Sequence, residues 1–165
     1  MKSEKLVIRS ATADDVPVIL ELIQALATYE RAPNEVTATE KGLTEVLFGA
    51  KPAAEVLLAF ENKTAVGFAV FFHNFSTWLG LPGLYLEDLF VRPEHRAKGY
   101  GRALLIHLAK VARERGCGRM EWAVLDWNEP AIQFYRKLAA KPMDEWTVFR
   151  LTRDGIAKLA NSTAE

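Results

Sequence analysis

The sequence has little cysteine, no surplus of charge and no long apolar run. Cys117 is its one cysteine, so no disulfide can form within the chain. Lys plus Arg and Asp plus Glu both number 21, which argues against capture of nucleic acid or an anionic membrane and restricts any anion site to a local patch. No window approaches the roughly 20 apolar residues that a membrane span needs. We therefore expect a cytoplasmic protein with no nucleic-acid or membrane partner.

The pattern of apolar residues predicts one α/β domain over residues 1–165. A hairpin is expected in "AEVLLAFENKTAVGFAVFFHNF", turning at "ENKT" and followed by a loop, "STWLGLPG". Further strands are predicted in "KLVIRSA", "LYLEDLFV", "RMEWAVLDW" and "WTVFRLTR". Helices are predicted after Thr12, from Thr37 and Glu40 to Gly49, after "AKGYG", after Asn128 and in "DGIAKLA".

The junction "VRPEHRAKGYGRALL" leads from a strand through two glycines into a helix. The first turn of a helix has free N–H groups and a partial positive charge, and glycines let an anion approach the backbone closely. Arg96, Lys98 and Arg102 add a positive spot that suits a pyrophosphate. Leu104 stands where a dinucleotide fold needs its third glycine, and there is no P-loop motif. A plain tight turn is the alternative interpretation.

Two motifs in order resemble the GNAT family of N-acetyltransferases. Arg96, Gly99 and Gly101 fill its R/Q-x-x-G-x-G/A motif. The second signature, N-x-x-A-x-x-F-Y, is filled by Asn128, Ala131, Phe134 and Tyr135. The resemblance implies a mixed, strongly twisted sheet of six to seven strands with about four helices. In that fold the strands "LYLEDLFV" and "RMEWAVLDW" run parallel and splay apart to hold acetyl-CoA.

The same resemblance implies the residues that bind acetyl-CoA as cosubstrate. Backbone groups near Leu89, Phe90 and Val91 are expected to bind the pantetheine arm, which Asn128 and Ala131 border. The pyrophosphate is expected on the loop and first helical turn that comprise Arg96, Ala97, Lys98, Gly99, Tyr100, Gly101 and Arg102. No metal is implied, and His73, His95 and His107 are too scattered to predict a metal site.

Acetyl transfer to an amine needs a base for the ammonium proton and an acid for the leaving thiolate. Adjacent Glu87 and Asp88 in an apolar strand are costly to bury, so we expect Glu87 to be the base or to bind the substrate cation. The alternative is that Glu87 and Asp88 lie at a solvent-exposed edge of the sheet and have no functional role. Strict alternation predicts two faces, Tyr85, Glu87 and Leu89 on one and Leu86, Asp88 and Phe90 on the other. Tyr135 is the candidate acid; simple packing of its ring is the alternative.

Several segments resemble the diamine acetyltransferase branch of the family, namely "VIRSATADDVPVILELIQALATYE", "LYLEDLFV" and "WNEPAIQFY". This likeness implies a small amine substrate, such as spermidine, spermine, putrescine, thialysine or lysine, and a homodimer. The substrate-binding residues that it implies are Tyr29, Glu30, Glu87, Asp88, Trp122 and Trp146. Ser76 and Thr77 replace acidic residues of that branch, and Ala139 replaces a glycine, so a smaller, amino-acid-like amine fits the pattern.

Three other functions are compatible with parts of this pattern. An acetyltransferase for another acceptor, such as a protein N-terminus or an antibiotic amine, would share the acetyl-CoA motifs. A non-catalytic acyl-CoA-binding module would keep the loop from Arg96 to Gly101 but would not depend on Glu87 or Tyr135. A nucleotide-binding α/β domain is disfavoured by the incomplete glycine motifs.

Overall fold

The computed structural model describes residues 6–163, whose strands form one sheet in the order of the sequence. The strands are β1 (Leu6–Ser10), β2 (Glu55–Glu61), β3 (Thr64–Ser76), β4 (Leu81–Val91) and β5 (Arg119–Trp122). All neighbours are antiparallel except β4 and β5, which are parallel. The predicted mixed sheet with parallel β4 and β5 is therefore confirmed, but it has five strands within the described range, not six to seven.

Five α-helices lie in the predicted segments, against about four that the resemblance implies. They are α1 (Val16–Tyr29), α2 (Glu40–Phe48), α3 (Tyr100–Glu114), α4 (Glu129–Lys137) and α5 (Arg153–Ala160). The α2 helix is capped by Thr39, whose side chain accepts from the Gly42 N–H at 3.1 Å, so the predicted start at Thr37 is wrong. A short 3₁₀ turn precedes α1, where the Asp15 carboxylate accepts from the Thr12 N–H.

β3 and β4 extend further into their connection than predicted, whereas one later predicted strand is shorter and another is not a strand. Residues 77–80 alone connect β3 to β4, so half of "STWLGLPG" is strand. The predicted strand "RMEWAVLDW" ends at Trp122. "WTVFRLTR" has the composition of a strand, but residues 146–152 pair with no strand of the described chain, and Phe149 is 93% exposed. Composition alone does not make a strand without a hydrogen-bonded neighbour.

Both faces of the sheet are covered by amphipathic helices. On one face, Ile19, Leu22 and Leu26 of α1 pack against Phe68 and Phe90 of the sheet. On the other face lie the buried side chains of α3. They cover the strand residues between those that α1 contacts, because successive side chains of a strand point to opposite faces. The helix that begins at the predicted junction is thereby packed against the central strands, and it follows the carboxyl end of β4.

The chain divides into two compact units, one that extends to Ala123 and one that begins at Val124. The first contains the sheet with α1, α2 and α3, and the second contains α4 and α5. The expectation of a single domain over residues 1–165 stays a prediction. None of the helices within residues 6–163 is both long and apolar enough to cross a membrane.

The close approach of β3 and β4 generates a test of the sheet. A Cβ atom on Gly67 would lie 2.5 Å from the Phe90 carbonyl oxygen and 3.2 Å from Val91. We expect Gly67→Ala to lower the free energy of unfolding by about 2 kcal/mol, because backbone atoms must move apart to admit the methyl group. Urea unfolding measures this. In the control Gly42→Ala, the new methyl group meets only the end of the Thr39 side chain, and an equal loss in both variants would contradict the prediction.

Candidate active site

A β-bulge interrupts β4 where the two predicted carboxylates lie. Leu86 pairs with Phe71 of β3, but the next pair joins Asp88 to Val70, so Glu87 is the additional residue. The parallel ladder between β4 and β5 ends at the pair of Leu86 with Trp122. From Glu87 to Val91, β4 is therefore bonded to β3 alone and has no strand on its other side within the described sheet.

This divergence is the local geometry that the sequence predicted for pantetheine. Backbone groups along Glu87–Val91 are left at a strand edge, where an extended chain can bond to them. Trp122 is the last residue of β5 and lies at the mouth of the gap. The binding of acetyl-CoA by Leu89, Phe90 and Val91 stays a prediction, and this edge fits it.

The bulge also changes which side chains share a face. Tyr85 pairs with Phe72, so it lies on the same face as Asp88 and Phe90, whereas Leu86 lies on the face of α3. The strict alternation predicted from the sequence, which grouped Leu86 with Asp88 and Tyr85 with Glu87, is wrong. An inserted residue reverses the pattern on either side of it.

Three carboxylates gather where α1 ends beside the bulge. Burial, with the charges of Glu87 and Glu30, raises the pKa of Asp88 to about 6. Burial also raises the pKa of Glu30, the residue that follows α1. Within residues 6–163, none of the three forms an ion pair. The structure thus brings Glu30, Glu87 and Asp88 close enough for their charges to repel each other. Their role in binding the substrate cation stays a prediction.

The junction between β4 and α3 has an unusual backbone. A 3₁₀ turn spans Pro93–His95, and Ala97 and Gly99 both have positive φ, 62° and 83°. Left-handed backbone suits glycine and is costly for alanine, so Ala97 must be held by its surroundings. Gly99 is the N-cap of α3 and contributes no side-chain acceptor. The N–H groups of the first turn are therefore not capped at that position, and a Cβ at Gly99 would meet no atom within 4 Å. An open cradle of donors is what a pyrophosphate requires.

A buried glutamate that the sequence pattern did not indicate, Glu61, contacts the connection between β4 and α3. Glu61, at the end of β2, is 7% exposed. Lys98 Nζ lies 2.8 Å from its Oε1, and His95 Nδ1 lies 2.9 Å from its Oε2. The Tyr100 hydroxyl donates to the same carboxylate. In the sequence, Glu61 resembles an ordinary turn residue of "ENKT", and nothing near it in the chain identifies its partners.

Arg96 points toward the end of α1. Its Nε donates to the Val91 carbonyl at 2.9 Å, and its guanidinium carbon lies 4.1 Å above the centre of the Tyr29 ring. Of the three predicted basic side chains, Arg96 and Lys98 thus contact protein groups. Arg102, in the first turn of α3, is exposed and has no hydrogen bond or ion pair with the described residues. The roles of all three in cosubstrate binding, and of Tyr29 in amine binding, stay predictions.

The remaining predicted residues lie in the second unit. Asn128 is 7% exposed and caps α4, with its Oδ1 accepting from the Ala131 N–H at 3.4 Å. Tyr135 lies on α4 with its ring 5.3 Å from that of Phe134. Trp146 follows α4 and is 66% exposed. Asn128 thus has the capping role that the sequence predicts, while the functional roles of these four residues stay predictions.

Comparison with known proteins gives one consistent result. The model of the family described as "Acetyltransferase (GNAT) family" matches residues 20–140. The chain is 36% identical to a thialysine N-epsilon-acetyltransferase of Bos taurus, over 93% of this chain and 96% of the relative. It is 34% identical to an L-ornithine N5-acetyltransferase of Arabidopsis thaliana, over 90% and 85%.

A solved structure agrees with the fold. An integron cassette protein from the mobile metagenome of V. cholerae superposes with a TM-score of 0.81 at 27% identity, over 95% of this chain and 98% of that one. The likeness therefore extends over nearly the whole length of both chains.

The pKa of Asp88 generates a test of the acidic pocket. Since the folded pKa of about 6 lies above the ordinary 3.8, the folded state binds more protons between these values and stability falls as pH rises through that window. Asp88→Asn removes the carboxyl, so we expect its free energy of unfolding to match the parent at pH 3.5 and to exceed it by about 2–3 kcal/mol at pH 7.5.

Urea unfolding across this pH range measures the difference between the two proteins. Asp14→Asn, at an exposed carboxylate, is the control and should not diverge from the parent with pH. Parallel curves for Asp88→Asn and the parent from pH 3.5 to 7.5 would rule out the raised pKa.

Proposed function

Because the chain belongs to the acetyltransferase (GNAT) family, and is thus an acetyl-CoA-dependent N-acetyltransferase, we propose that its acceptor is a primary amine of a small diamine or diamino acid. The observation that carries the proposal is the group of unpaired carboxylates Glu30, Glu87 and Asp88. Burial, together with the charges of Glu87 and Glu30, raises the pKa of Asp88, and an entering cation would offset the repulsion among the three carboxylates. The names of the relatives, a thialysine and an ornithine acetyltransferase, support the same class of amine.

A second ammonium group explains why more than one carboxylate is needed. A diamine carries one amine to be acetylated and another that remains charged. In this proposal Glu30 and Asp88 bind the ammonium that does not react, since both are partly buried at the end of α1 and on the adjacent face of β4. A monoamine leaves that pair of charges unsatisfied and binds less tightly.

In this proposal, Glu87 handles the proton of the reacting amine. A primary amine has a pKa of about 10.4, so it is almost wholly protonated at neutral pH and must lose a proton before it can react. Glu87 is exposed, and it is the bulged residue where β4 and β5 part. In this proposal it takes that proton, directly or through water.

Acetyl-CoA supplies the thioester acetyl group. The residues that would hold it are the β4 edge from Glu87 to Val91 and the first turn of α3, where the N-cap is Gly99 and Arg102 is exposed. Tyr135 is the proposed proton donor to the leaving thiolate, because a phenol with a pKa of about 10 can protonate a thiolate and remain neutral until then.

A panel of amines tests the acceptor. With acetyl-CoA and free-thiol detection, we expect release with at least one of thialysine, lysine, ornithine, putrescine and spermidine, and at least tenfold lower kcat/KM for propylamine and for a peptide N-terminus. Glu30→Gln should raise the KM of the best diamine about tenfold and leave the KM of propylamine nearly unchanged, because only the diamine uses the second charge. Equal turnover of monoamines, or equal KM effects on both amines, would refute the diamine proposal.

Replacement of one hydroxyl group tests the acid. We expect Tyr135→Phe to lower kcat by a hundredfold or more, which is the lower end of the usual effect of general acid catalysis. The affinity for CoA in calorimetry and the midpoint of thermal unfolding should stay within error of the parent, because the ring remains. An unchanged kcat would remove Tyr135 from the mechanism, whereas parallel losses of CoA affinity and kcat would assign it to binding.

A further inference from the structure

We propose that Glu61 is a positioning residue of the acetyl-CoA loop, and that Lys98 acts on the cosubstrate through Glu61 and not by contact with the diphosphate. This inference rests on the proposed binding of acetyl-CoA at the start of α3. The loop is defined as residues 92–99, which connect β4 to α3. Glu61 lies outside it, at the end of β2, where the chain turns toward β3.

The contacts of Glu61 are unusually concentrated. One carboxylate lies within 3 Å of Lys98 Nζ and His95 Nδ1 and accepts a hydrogen bond from the Tyr100 hydroxyl. These three partners come from the middle of the loop, from its 3₁₀ turn and from the first residue of α3. A single anion therefore fixes both ends of the segment in which Ala97 and Gly99 have positive φ.

Burial makes this arrangement costly to change. The Glu61 side chain is 8% exposed, and a buried carboxylate is tolerated only when donors replace its water. If the loop left its present conformation, Glu61 would lose the charge-assisted hydrogen bonds from Lys98 and Tyr100 at once. The left-handed conformation of Ala97, unfavourable by itself, is thus maintained by the carboxylate. Donors held in place before the ligand arrives bind it with less loss of entropy.

The ion pair with Glu61 also restricts the role of Lys98. Its ammonium lies against a buried carboxylate, where attraction is stronger than at an exposed site. To reach a diphosphate it would have to leave Glu61 and uncover a buried charge. Lys98 therefore stabilises the loop, and the main-chain N–H groups and Arg102 bind the diphosphate.

Substitution of Glu61 tests the positioning role. Glu61→Gln keeps the shape of the side chain but removes the charge, and we expect the Kd for CoA to rise about tenfold while kcat at saturating acetyl-CoA stays within twofold. Tyr100→Phe removes one donor without a change in charge, so it should raise the Kd about threefold and supplies the test if Glu61→Gln is unstable. The matched control is Glu55→Gln, on the same strand, whose partner Arg115 lies outside the loop; its Kd should equal that of the parent.

A double-mutant cycle separates the two roles of Lys98. Alone, Lys98→Met should raise the Kd for CoA and leave its salt dependence as in the parent, because no contact with the diphosphate is lost. In the Glu61→Gln background the same change should alter the Kd less than twofold. A flatter salt dependence, or a larger effect in that background, would show that Lys98 binds the diphosphate and would overturn this part of the inference.

The outcomes also distinguish this inference from the proposed function. If the parent protein binds no CoA, the proposed function itself fails. If the parent binds CoA and Glu61→Gln binds it equally well or more tightly, the acetyltransferase assignment stands and the positioning role of Glu61 is refuted. A loss of kcat with unchanged Kd in Glu61→Gln would also refute it, since a positioning residue of this loop acts on cosubstrate affinity.

Discussion

A carboxylate buried at the end of β2 contacts the loop that the proposed function assigns to cosubstrate binding. Glu61 is distant in sequence from Lys98 and Tyr100, yet it contacts both. The native conformation of the loop after β4 is therefore linked to the position of the end of β2. The cost of burying one charge is offset by the Lys98 ammonium and the Tyr100 hydroxyl, which both donate to it. We infer that these contacts hold Ala97 in a conformation that its own side chain disfavours.

The bulge at Glu87 is the second constraint, and it links the sheet to the chemistry. An inserted residue bends and twists its strand, and the ladder to β5 ends at the pair just before it, Leu86 with Trp122. The same irregularity turns Asp88 to the face of α1, beside Glu30, and leaves Glu87 exposed. One local departure from regular β-structure thus leaves a strand edge open and brings three carboxylates together. In the proposed function, the edge binds the arm of the thioester and the carboxylates bind the amine.

The sequence predicted the elements that depend on local signals. Gly99 and the helix after it, the cap at Asn128 and the parallel pair of β4 and β5 are all as expected. Strand alternation failed at Glu87 because a bulge is set by pairing with β3, which β4 alone does not encode. The partners of Glu61 could not be predicted either, since a contact across 37 residues leaves no periodic pattern between Glu61 and Lys98. The prediction for "WTVFRLTR" failed for a different reason. Its residues favour a β-strand, but the described structure provides no strand for it to pair with.

The pairing of Lys98 with Glu61 also bears on how a protein of zero formal net charge selects one anion among many in a cell. An array of free lysines would attract any polyphosphate, because point charges on flexible side chains impose little geometry. Here Lys98 is neutralised by Glu61, and Arg96 is stacked on Tyr29 with its Nε bonded to Val91. Recognition in the proposed function then depends on N–H groups whose directions are fixed by the helix. A fixed set of donors favours a diphosphate that can match it, and the adjacent strand edge favours one that carries a long amide-containing arm.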